Sequence, residues 1–152
     1  MFAPLITAFA LVAPPPPDVT GGAFANVCLP YVTGEASDTA ALEFLGFVPT
    51  LGAGPGSYQT QDEAYLLRLT TTGSAADGDL NRVCVVQARR GGLDGARGSV
   101  APVLREQGFT PDAGAPADRP IWTKGGVTVS LRQNEGRATV VRVTYSSLDA
   151  GL

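Results

Sequence analysis

The sequence predicts an α+β domain, an antiparallel sheet of four to five strands with two to three helices packed on one face. Three observations carry that prediction. Two segments of helical periodicity end in the same Gly-Phe-x-Pro signature, at residues 46–49 and 108–111. Each is followed by two alternating apolar runs separated by turn-forming residues, the pattern of paired strands with one face buried. The chain also holds one pair of cysteines, Cys28 and Cys84, and no others.

In chain order, residues 1–13 are apolar, carry no charged side chain and end in small residues. They read as a signal-like leader, too short to span a bilayer, with Ala8-Phe9-Ala10 or Ala13 as its end. The absence of Lys or Arg in this stretch leaves a plain apolar tail as the alternative. Residues 14–21, opening with Pro14 to Pro17, read as a stiff spacer, and residues 22–148 as a single domain. After removal of the leader no membrane span is expected.

Phe24, Val27, Cys28 and Tyr31 fall on one helical face, with Pro30 shortening that helix. Ser37 is placed to cap a second helix that ends before Gly46, and Phe47 to fold back on its last turn. Ser99 is placed to cap a third, through Gln107, with Pro102 in its first turn. The strand runs are 64–72, 82–89, 127–133 and 138–146, and Ile121-Trp122-Thr123 is an additional edge-strand candidate.

Laid on itself at an offset of 62, the chain aligns Ser37, Leu42, Gly46, Phe47 and Pro49 with Ser99, Leu104, Gly108, Phe109 and Pro111. Tyr65, Leu67 and Leu69 then fall on Val127, Val129 and Leu131. The pattern implies a degenerate duplication of a helix–strand–strand unit, an internal repeat. The alternative is that both helices simply end in a common way.

Composition excludes more than it suggests. The chain has 152 residues, 44% hydrophobic, which suffices for one domain with a core. It has no histidine, so the usual general base, metal ligand and pH switch are all missing. With two cysteines and no histidine, an ordinary zinc site cannot be assembled, and no metal or cofactor is expected. Eleven basic residues against 14 acidic ones, in no long run, give no footprint for nucleic acid. Ten of the eleven are Arg, Lys124 being the sole Lys.

An even cysteine pair in an otherwise cysteine-free chain suggests a disulfide and an oxidising compartment, with buried free thiols as the alternative. Bridged, Cys28 and Cys84 would close a long loop whose lost entropy stabilises the fold by roughly 4 kcal/mol.

Other segments read as turns or loops. Asp77-Gly78-Asp79-Leu80-Asn81 has the look of a calcium loop but lacks the glycine and terminal glutamate such a loop needs, Ala88 standing where the glutamate belongs. Gly52 to Gly56 contains Pro55 and has no Gly-Lys-Ser/Thr ending, so it is no phosphate loop. Arg89-Arg90 at a strand end reads as a solvated pair. Trp122, flanked by Arg119 and Lys124, and Tyr58 are the aromatic residues suited to partner binding. For Trp122 the alternative is partial burial in the core.

The order of apolar leader, Phe24-x-x-x-Cys28, helix–Gly46–Phe47 and strand Cys84 resembles small exported proteins of alphaproteobacteria, a group of uncharacterised activity. The resemblance covers most of residues 22–146 and brings no functional residue with it. The reading that results is a periplasmic or secreted, non-catalytic module that binds a protein or envelope component through its open sheet face or loops. Two alternatives stand beside it. A carboxylate/Arg hydrolase requires at least two of Asp62, Glu63, Arg68 and Arg132 to meet in a pocket, and a structural envelope component requires self-association.

Overall fold

The computed structural model describes residues 18–35, 39–134 and 138–151. The leader 1–13, the prolines 14–17, the Ser37 cap and most of the 134–136 turn lie outside the described residues.

The first helical region begins at α1 (Val19–Ala23), where the Asp18 carboxylate accepts the Gly21 N–H at 3.1 Å. It thus starts ahead of the expected residue 22, inside the stretch read as spacer. A π-helical turn (Phe24–Cys28) and α2 (Leu29–Thr33) continue it without a break. Pro30 therefore does not end the helix. A proline ring crowds the carbonyl four residues back, and the wider turn just before it, closed by the Leu29 N–H on the Phe24 carbonyl, relieves that conflict. Phe24, Val27, Cys28 and Val32 are buried along the inner side of this helix.

After the short α3 (Thr39–Phe44) the chain forms β1 (Phe47–Pro49), β2 (Ser57–Thr60), β3 (Tyr65–Thr72) and β4 (Asn81–Ala88). Then α4 (Gly92–Glu106) leads into β5 (Thr110–Pro111), β6 (Ile121–Lys124), β7 (Val127–Gln133) and β8 (Thr139–Ser146). All eight strands form one antiparallel sheet, ordered β1-β2-β3-β4-β8-β7-β6-β5. The expectation of four to five strands is too low. The strands it missed, β1, β2 and β5, span two to four residues, too short to show alternation, and two of them end in proline. Phe47 belongs to β1 rather than to a helix end, and β6 is not the edge, because β5 lies outside it.

Helix α4 also differs from expectation. It starts at Gly92, so Ser99 lies in its middle, donating its hydroxyl to the Gly95 carbonyl at 3.0 Å. Pro102 is interior and not in the first turn. Both Pro102 and Gly98 are exposed, so the carbonyl that loses its helical partner lies on the solvent side of α4, where the loss costs little. Ala96, Val100 and Leu104, four residues apart, form the buried stripe.

Both α3 and α4 end as the sequence indicated. Gly46 and Gly108 adopt φ of 82° and 80°, the left-handed conformation only glycine takes without strain. At the second site the Phe109 N–H reaches the Leu104 carbonyl and the Gly108 N–H the Arg105 carbonyl, a Schellman ending.

One sheet face carries Leu67, Cys84, Val86, Val127, Val129, Leu131, Val141 and Val143, all buried beneath the helices. The Cys28–Cys84 disulfide pins the π turn to central strand β4, with both residues fully buried and Cα atoms 5.2 Å apart. Gly21 and Gly22 permit the helical layer to close. A Cβ on Gly21 would stand 2.6 Å from the Asp18 Oδ2 and 3.3 Å from the Ser99 carbonyl of α4. One on Gly22 would meet Leu45 at 2.7 Å. No helix among the described residues is long and apolar enough to cross a membrane.

Candidate functional site

The second face of the sheet bears no helix among the described residues, and its side chains follow from the period-two alternation of the strands. In β3 the buried residue Leu67 alternates with Leu66 and Arg68; in β8, Val141 and Val143 alternate with Val140 and Arg142. Strand register then fixes the neighbours. Across the sheet run Ser57, Arg68, Val85, Arg142 and Ser130, and beside them Gln59, Leu66, Gln87, Val140 and Arg132. A third row is Thr70, Val83, Thr144 and Thr128.

Two rows therefore bring three arginines, Arg68, Arg132 and Arg142, around an apolar centre of Leu66, Val85 and Val140. The arginines are exposed, Leu66 and Val85 are half-buried, and Val140 is buried between Gln87 and Arg132. Together these side chains line a depression of about 480 Å³. The Gly-rich loop flanks it: Thr50 and Ala53 line its side, and Ser57 Oγ donates to the Ala53 carbonyl at 3.3 Å.

The electrostatics are one-sided. No position in these three rows holds Asp or Glu, although acidic residues outnumber basic ones in the whole chain. Arg68 Nε donates only a long hydrogen bond, 3.4 Å, to Ser57 Oγ. Among the described residues no carboxylate lies within ion-pair distance of any of the three arginines. Arg132 and Arg142 have all five donors, and Arg68 the four outside that bond, in a planar fork suited to carboxylate or phosphate.

No protein family, curated protein or solved structure matches this chain.

Of the residues expected to form a site, Arg68 and Arg132 share the depression. Two of the four residues required for a hydrolase thus meet, but both are arginines: Asp62 and Glu63 sit apart, in the β2–β3 turn, and among the described residues the depression holds no carboxylate. Asp62 has a structural task there, accepting the Thr60 hydroxyl at 2.7 Å and the Ala64 N–H at 3.1 Å, with Arg90 at 3.4 Å. The Thr60 hydroxyl, then the Ala64 amide, with a smaller contribution from Arg90, hold its carboxyl below the usual carboxylate range. Arg90 is thereby paired to the turn.

Tyr58 and Trp122 are in register with Leu67 and Val129, and both are half-buried against the core; of the two aromatic residues suited to partner binding, Tyr58 also lines the depression and Trp122 does not. In the Asp77–Asn81 segment the Asp77 carboxylate accepts the Ser74 hydroxyl at 2.6 Å and Asp79 the Ser74 N–H at 3.0 Å, which is turn chemistry. Among the described residues no group of His, Cys, Asp or Glu is placed to hold a metal ion. Sequence reasoning missed Arg142. Its signal was available, since a charge between Val141 and Val143 in an alternating strand must face away from the core.

Proposed function

We propose that the protein is an exported binding module that engages a component of the cell envelope through the open face of its sheet. The observation that carries this reading is the cluster of Arg68, Arg132 and Arg142 around an apolar centre, on a face where, among the described residues, no carboxylate pairs with them and no helix lies over them. Arginine is enriched at interface anchors, where its planar fork pairs with carboxylates. The buried Cys28–Cys84 disulfide supports an oxidising compartment, as does the apolar leader read at residues 1–13. The two strand meanders repeat the same order of pairs, Pro49–Tyr58–Leu67–Val86 and Pro111–Trp122–Val129–Val143, which supports the degenerate helix–strand–strand duplication, extended by a short outer strand pair in each half. The arginines then mark where the copies diverged.

The test is site-specific photocrosslinking in the native host, combined with cell fractionation. A crosslinker at Ser130, on the open face, should yield adducts in the periplasmic or secreted fraction. One at Asp94, on the exposed side of α4, should not. Adducts from Asp94 alone, or a protein confined to the cytoplasm, would overturn the reading.

A further inference from the structure

Resting on that reading, we infer that the open face takes the acidic surface of a different protein, with Arg68, Arg132 and Arg142 as charged anchors around Leu66, Val85 and Val140. Three features point to this occupant.

The first is charge complementarity. All charged side chains in the three central rows are cationic, so the facing surface must be anionic to avoid burying unpaired guanidinium groups. The same fact disfavours a face-to-face pair of this chain, which would bring six arginines together with no carboxylate from the three rows between them. A two-fold contact would set arginines against arginines, and like charges across an interface are repulsive.

The second is the apolar centre. Arg68 and Arg142 flank Val85 in one row, two strands apart and hence separated by roughly 10 Å at the backbone. Leu66 and Val140 fill the adjoining row. An occupant must place carboxylates at the edge and apolar atoms in the middle. An acidic protein surface does so; a sulfated sugar or polyphosphate is polar throughout and would leave the exposed parts of Leu66 and Val85 unpartnered.

The third is size. Eight strands at about 4.8 Å spacing span roughly 35 Å, and the long central strands run about 25 Å. The face is thus of the order of the 800 Å² or so that each partner contributes to a stable interface. Threonine and serine at positions 70, 128, 130 and 144 surround the centre and supply the hydrogen-bonding rim such interfaces carry.

The experiment titrates the intact, disulfide-bonded protein with three probes, followed by NMR of the arginine side chains and the Leu and Val methyl groups. The probes are a synthetic peptide with a Val-rich centre flanked by Glu on both sides, heparin, and vesicles containing phosphatidylglycerol. The expected result is saturable binding of the peptide that shifts Arg68, Arg142 and the Val85 and Val140 methyls. Its Gln/Val counterpart should not bind, and R142E should weaken binding by about tenfold or more. R142E should fold normally, because Arg142 is exposed and has no partner among the described residues.

Heparin or vesicles binding at this face while the peptide does not would overturn the acidic-protein inference and leave the open-face reading standing, since the Ser130 crosslink is independent of it. Concentration-dependent self-association through this face would replace the foreign partner with a second copy. Peptide shifts confined to another surface, with no Ser130 crosslink, would sink both.

Discussion

Tyr58 and Trp122 occupy the same place in the two halves of the sheet. Tyr58, in β2, pairs outward with Pro49 and inward with Leu67, which pairs with Val86. Trp122, in β6, pairs outward with Pro111 and inward with Val129, which pairs with Val143. The halves meet where β4 pairs with β8, Val86 against Val141 and Cys84 against Val143. Both rings therefore serve as outer walls of the core beneath the helices.

Replacing either ring with alanine should destabilise the protein by about 2–4 kcal/mol, Trp122 more than Tyr58, because each vacates partly buried space against the core. Urea denaturation measures the loss. Binding at the open face should survive the loss of Trp122, which does not line the depression, whereas the loss of Tyr58, which does, should weaken it; loss of binding in the Trp122 variant with stability intact would contradict this placement.

The disulfide ties the first helix to the sheet. Cys28→Ala with Cys84→Ala should lower stability by roughly 4 kcal/mol from loop-closure entropy, and further through the lost packing of two buried sulfur atoms. The native protein should show no alkylatable thiol without reductant and two with it. Equal urea midpoints for the oxidised protein and the double variant would deny the bridge a stabilising role.

Glycines within helices separate into two kinds. Gly95 and Gly98 of α4 have open space where a Cβ would stand, so Gly→Ala at either should stabilise by up to about 1 kcal/mol through helix propensity. Gly21→Ala should destabilise by about 1–2 kcal/mol despite the same propensity gain, because its Cβ would meet the capping carboxylate of Asp18 and the backbone of α4. Thermal unfolding of the three variants checks the signs.

Asp62 should titrate below the ordinary carboxylate value of 3.8. A folded pKa below the unfolded one means that its stabilisation is complete above the unfolded value and disappears as pH falls through the folded one. Thr60→Val removes the leading cause and should return the Asp62 titration toward normal, measured by carboxyl carbon NMR. The Arg90→Gln variant should move it less, since that ion pair is exposed and screened.

Much of the fold was legible because its determinants are local. Strands β3, β4, β7 and β8 showed their alternation over seven or eight residues, and the helix endings at Gly46 and Gly108 showed their chemistry directly. The short outer strands were illegible because their pairing partners, not their own residues, make them strands. The same holds for Pro30 and Pro102: each reads as a helix boundary until a π turn, or a solvent-facing carbonyl, removes the conflict.

Local pattern and composition were enough to give the class of the fold, the four long strands, the cysteine pair and the absence of histidine chemistry. The pairing of β4 with β8, and with it the site, belongs to the folded molecule alone. Arg68 and Arg142 are far apart in the chain, and alternation says only that each faces away from the core. Whether they face the same patch depends on strand order and register, which are set by nonlocal hydrogen bonds and by the burial of Val86 and Val143 against their partners.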